Sequence, residues 1–369
     1  MDRLIRTGPA AVALERPALP TPTSPSTTPS HSAPPSLSQQ QFEAALAAAD
    51  DADASPEDRA EMLMEMAMGL QSRPRSPQQL TDAVGLYERA LEIAPAGAPL
   101  LRARITARMG TALQAQPDGG AASLERALQC FQAAVPGLQT LGRPEEVAEA
   151  ELNLGLVQQA LSALGRGRIT DAIGAYQRSL RTFTREAYPQ EYSVLHNNLA
   201  IAYLSMPATD ERGRMREALA VQSFEEVLKV INLIDHPSEY AMINNNLGNA
   251  LQYATSSHVL ENNLRALAAY DEALRVRNPR DTPIEYANTI ANTANVLRNL
   301  VPDPTLAATP GSNAPWSDPL NDALVLVREA QALFDRFGDA AKAALMRDAG
   351  AEIEADIGAQ RIVRRERMN

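Results

Sequence analysis

The sequence predicts an all-α protein, a solenoid of about six stacked helix pairs closed by a C-terminal capping helix, and three observations carry that prediction. First, one phrase recurs: PQEYSVLHNNLAIAYL from Pro189, PSEYAMINNNLGNALQ from Pro237 and PIEYANTIANTANVLR from Pro283. Each is followed by a second helical phrase, ALAVQSFEEVL from Ala218, ALAAYDEAL from Ala266 and DALVLVREAQAL from Asp322. Self-similarity at such a period marks a stacked array, because one helix pair cannot bury its apolar face alone. Second, small residues recur in the first helices at Gly69, Gly110, Gly155, Ala200, Gly248 and Ala294, in steps of 41, 45, 45, 48 and 46, with second-helix aromatics Tyr87, Phe131, Tyr176, Phe224 and Tyr270 in phase. Third, the 369 residues are 45% apolar and only 4% aromatic, a core of Ala and Leu that suits packed helices better than a compact enzyme domain.

Taken in order, residues 1–40 hold eight of the 26 prolines among Ser, Thr and Ala, with no periodic apolar face, and read as a disordered tail. A helix is expected over Gln41–Ala49. Ser55-Pro56-Glu57 then supplies an N-cap, a proline at the first helical position and an early acid. The repeats are placed near 56–95, 98–142, 144–186, 189–235, 237–278 and 283–338, with a cap over 339–360 and a basic tail, 361–369. Pro144, Pro189, Pro237 and Pro283 open first helices, each with a glutamate two residues on (Glu146, Glu191, Glu239, Glu285) to complement the positive end of the helix. Thr282 with Glu285 has the spacing of a capping box. The stretch 301–317 interrupts the last repeat with four prolines and the single tryptophan, Trp316, read as a loop that packs against the array.

Composition bounds the function. A formal net charge of −11 argues against general nucleic-acid binding. Cys130 is the one cysteine, so neither a disulfide framework nor a thiolate metal site is expected. No apolar run suits a signal peptide or a membrane span, which points to a cytoplasmic protein. Four histidines (His31, His196, His236, His258) stand apart from any nucleophile or carboxylate at a useful offset, and no phosphate loop or metal motif occurs. No enzyme and no cofactor is expected.

The NNLGNAL run around Leu247 and Gly248, and the order Leu154-Gly155, Ala172, Tyr176, Leu180, resemble the tetratricopeptide repeat. The repeats here exceed that family's usual ~34 residues and look like the long-unit type found in bacterial proteins, some of which carry a caspase-like CHAT domain; no stretch outside the repeats accommodates one. The resemblance implies a right-handed superhelix whose first helices line a concave groove holding a peptide or partner protein.

Asparagine is the constellation worth weighing, since 14 of 18 lie between Tyr192 and Asn299. Asn153, Asn198, Asn246 and Asn292 each stand two residues before a small anchor; Asn197 and Asn245 add a neighbouring row, Asn249 and Asn295 follow the anchor, and Asn288 lies a turn earlier. Asparagine is a middling-to-poor helix former, so a mid-helix ladder of it needs a reason. Either the amides bind the backbone of an extended segment, as ladders in family members do, or they bond one another and hold the stack. The second repeat carries Arg104 and Arg108 on the matching face, which suits a ligand bearing carboxylates. Basic residues are missing around the asparagines themselves, so the family's chaperone-tail clamp is not expected. The function expected is a non-enzymatic scaffold or adaptor binding a protein or peptide; an assembly factor for a multisubunit enzyme and a self-associating homo-oligomer are the alternatives.

Overall fold

The computed structural model describes residues 54–117, 119–206, 211–254, 258–300 and 318–368, with 43, 44, 46 and 47 before them. The tail 1–40 and the 301–317 loop with Trp316 lie outside the described residues. Thirteen helices and no strand occur among those described: α1 (Pro56–Ser72), α2 (Pro77–Ile93), α3 (Pro99–Gln114), α4 (Gly120–Leu141), α5 (Pro144–Ala163), α6 (Ile169–Ser179), α7 (Pro189–Leu204), α8 (Glu211–Leu228), α9 (Pro237–Tyr253), α10 (Val259–Leu274), α11 (Pro283–Asn299), α12 (Pro319–Arg336) and α13 (Ala340–Met368).

The chain divides at Ser205/Met206 into two bodies, each with its own packing. In the first, α1–α7 pack consecutively, and the first helices α1, α3, α5 and α7 also touch in sequence, giving one layer of first helices and one of second helices. In the second, α8–α13 pack consecutively and α9 touches α11. Each body is thus an α-solenoid of helical hairpins.

Tyr87, Phe131, Tyr176, Phe224 and Tyr270 are all fully buried. A Cβ added at Gly155 would stand 2.4 Å from the Tyr176 ring, one at Gly248 2.4 Å from the Tyr270 ring, and one at Gly110 3.0 Å from Phe131, so these anchors are glycine because the next helix lays an aromatic on their backbone. Gly69 does not serve that role: it is exposed, with nothing within 4 Å of an added Cβ. The buried residue two positions earlier, Ala67, takes the equivalent place, because the Tyr87 hydroxyl bonds Gln71 four residues beyond it, just as Tyr176 bonds Gln159 four beyond Gly155.

Proline stands at the first turn of eight helices, where its missing N–H costs no hydrogen bond. Ser55 caps α1 as expected, its Oγ accepting from the Asp58 N–H at 3.2 Å. The expected capping box at Thr282–Glu285 does not form. Asn278 folds the preceding loop into an Asx turn, accepting from the Arg280 and Asp281 N–H groups, and the Thr282 hydroxyl turns back to take the Asn278 N–H at 3.0 Å. The same turn precedes α9 at Asn232. At the N-terminal edge, Leu46, which is helical like residues 43, 44 and 47, packs on the core of the first body. At the other end α13 runs past 360 to Met368, because its Ala-, Glu- and Arg-rich sequence holds no proline to stop it.

Candidate functional site

The residues singled out by the sequence gather on the first helices, and their chemistry differs between the two bodies. In the first body the face carries ion pairs. Arg104 on α3 donates two bonds to Glu146 on α5, at 2.7 and 3.2 Å, and Arg108 one turn on donates to Glu149, at 2.9 and 3.4 Å. Both arginine side chains are about one-third exposed (37%). Hydrogen bonding to Arg104 holds the Glu146 carboxyl below the usual carboxylate range. Between the pairs lies a narrow slot floored by Ala107 and Ala150, reaching Phe131 and Leu138 of α4. Asn153 borders it, half-buried, its Nδ2 donating back to the Glu149 carbonyl at 3.0 Å. The arginines are therefore matched in place by glutamates of the next first helix, a pairing that sequence spacing did not reveal.

In the second body the face is built of amides. Asn245, Asn246, Asn249, Asn288 and Asn292 are between 0 and 7% exposed. Asn292 on α11 donates from Nδ2 to Asn245 Oδ1 on α9 at 3.3 Å. Asn249 Oδ1 accepts from the buried Tyr270 hydroxyl at 2.7 Å. Half-buried Asn295 donates to the Tyr253 hydroxyl at 3.1 Å. Asn197 and Asn198, on α7 of the first body, are buried too. The amides thus lie inside the helix layers rather than along an open surface. Three of their polar atoms have no hydrogen-bond partner: Asn197 Oδ1, Asn249 Nδ2 and Asn288 Oδ1.

Around this seam the structure adds groups that the sequence reading passed over. Tyr240 and Tyr286, the tyrosines of the P-x-E-Y phrase, donate to Glu272 and Glu329 on the second helices of their own repeats at 2.7 and 3.1 Å. Burial and the Glu272 carboxylate raise the Tyr240 phenol, while the same bond lowers Glu272. The signal was available: a half-buried tyrosine hydroxyl at a repeating position demands a repeating acceptor. Arg277, buried after α10, donates to the Thr289 hydroxyl at 2.9 Å. Arg298 reaches across to α13, donating to Glu352 at 2.7 Å and Asp356 at 3.2 Å; it fastens the capping helix.

His196 packs against Tyr192 with ring centroids 4.3 Å apart and ring planes tilted by 47°. Among the described residues no group of three or more His, Cys, Asp and Glu side chains is placed to hold a metal ion, and no helix is long and apolar enough to cross a membrane.

No protein-family model matches this sequence, and no curated protein matches it. Among solved structures the chain is similar to BtubC (BKLC) from P. vanneervenii, with 19% identity and a TM-score of 0.44 over 67% of this chain and 96% of that one. It is also similar to the assembly chaperone of RpL4 (Acl4, residues 1–338), with 14% identity and a TM-score of 0.43 over 84% and 99% of the two chains. A third likeness is to the TPR2AB domain of yeast Sti1 in its complex with pHSP90, with 15% identity and a TM-score of 0.24 over 80% and 99%. The helical fold is read from the helix pairs themselves, and none of the three brings a function with it.

Proposed function

We propose that the chain is a non-catalytic interaction scaffold of the tetratricopeptide-like, long-repeat kind, which holds an extended segment of a partner protein against its first helices. The observation that carries this is the surplus hydrogen-bonding capacity of the amide seam. In the second body, Asn249 Nδ2 and Asn288 Oδ1 lie on the successive first helices α9 and α11 with no partner among the described residues. A buried amide atom left unpaired costs ~1–3 kcal/mol, and a seam that served cohesion alone would be expected to pair them. A backbone segment would offer the missing donors and acceptors without requiring a particular side chain, and it reaches these buried atoms by parting the helices around them. The structural alternative, bound water completing the seam, is what the test separates. A ligand carboxylate would meet Arg104 and Arg108 only by exchanging with Glu146 and Glu149.

Asn288→Ala removes one of these atoms without breaking a bond that the structure makes. The full-length variant is expected to melt within a few degrees of wild type and to lose its partner in capture from native lysate read by mass spectrometry. A large drop in melting temperature with an unchanged set of captured proteins would assign the seam to cohesion. A transient assembly role for the same face is favoured over a stable adaptor if the captured partner is an unassembled subunit.

A further inference from the structure

The ion-pair face of the first body differs from the amide face in a way that points to its ligand. Arg104 and Arg108 sit one turn apart on α3, and the carboxylates bonded to them across the slot are Glu146 and Glu149 of α5, while Glu61 of α1 lies near enough to act on Arg104 through its charge. Four helical residues rise about 6 Å, close to the ~6.7 Å between alternate residues of an extended strand. Acidic side chains at alternate positions of an extended peptide therefore match the two arginines in register. Glu146 and Glu149 occupy that register from within.

We infer that Arg104 and Arg108 form a site for an extended acidic segment, acidic at every second residue, and that Glu149 and Glu146 mask it by acting as resident substitutes for the ligand's carboxylates. This rests on the first-helix face being the binding surface. The exchange is accessible at Arg108, because it and Glu149 are both more than one-third exposed and ion pairs at such exposure are weak, whereas Glu146 beside Arg104 is only 16% exposed. It also conserves the number of ion pairs at the arginines: each guanidinium gives up one carboxylate and gains another. What resists entry is the charge of Glu149, which faces the incoming acid and has no second cation bonded to it. Glu146 is held more firmly, since the Arg143 backbone N–H also donates to it at 2.9 Å, so Glu149 is the yielding side of the mask.

The test is fluorescence anisotropy at low ionic strength on the full-length chain, with a labelled peptide of alternating glutamate and serine as probe. Glu149→Gln is expected to bind it about tenfold more tightly than wild type, because a like charge is removed from the face. Adding Arg108→Gln should return the affinity to the wild-type level or below. Glu125→Gln, which removes a charge paired with Arg166 elsewhere on the same body at 2.7 Å, is expected to change little. Equal affinity of Glu149→Gln and wild type, at an unchanged melting temperature, overturns the inference. So does a gain that Glu125→Gln reproduces, or one that survives Arg108→Gln. The capture experiment reads Asn288 instead, so loss of the partner there with no gain here removes this inference and leaves the scaffold reading in place.

Discussion

At the scale of single residues, the glycines show how tightly the helix pairs are specified. Gly155→Ala and Gly248→Ala would each push a methyl to 2.4 Å from a buried tyrosine ring, and each is expected to destabilise its body by about 1–3 kcal/mol. Gly69→Ala meets nothing and is expected to be neutral or to stabilise by up to ~1 kcal/mol through helix propensity. Thermal melts of the three variants check this contrast. The anchors at 110, 155 and 248 were legible because glycine and aromatic keep a steady spacing. The first was misplaced because Gly69 mimics the pattern two residues late, and only the hydroxyl bond from Tyr87 to Gln71 fixes the register. Glu146 gives a pH prediction. Its carboxyl is lowered in the folded chain, so its contribution is present above the unfolded carboxylate range and is lost as pH falls through the folded value. Glu146→Gln should therefore melt below wild type at neutral pH, by about 1 kcal/mol, and the two should converge in strong acid.

Among the elements, the starts of the helices were readable and their neighbours were not. Proline fixes φ and marks a first turn from sequence alone, so the openings of α5, α7, α9 and α11 fall where expected. The cap at Thr282 failed because a competing local bond, to Asn278, is not visible from the spacing of two residues. The site was legible to the same degree. A row of asparagines in register could be placed on successive helices, whereas the choice between exposure and burial depends on how closely those helices approach. Glu146 and Glu149, 42 and 41 residues from their arginines, needed the register between repeats as well. The capping helix supplies its own test. Arg298 is 14% exposed and holds two carboxylates of α13. Arg298→Ala is expected to cost about 1.5–3 kcal/mol, read as faster amide hydrogen exchange along α13 while α9 and α10 keep their protection.

For the molecule as a whole, periodicity predicted one continuous array, and the packing resolves into two bodies. Nothing in the repeat spacing announces the division, since the step across it, from Ala200 to Gly248, differs from its neighbours by at most three residues. Two bodies with separate cores are expected to give calorimetric unfolding that departs from a single two-state transition, and Gly248→Ala should move only the component belonging to the second.

The division falls inside the fourth repeat: α7 belongs to the first body and α8 to the second. The segment that is copied along the chain, from one P-x-E-Y phrase to the next, is therefore out of step by one helix with the segment that packs as a whole. Anyone lengthening, shortening or transplanting this array would cut naturally at Pro189 or Pro237, where the text repeats. Either cut strands a helix, because α7 then leaves its body or α8 leaves its own. A splice at Ser205/Met206 keeps α7 with α6 and α8 with α9, the neighbours that each packs against within its own body.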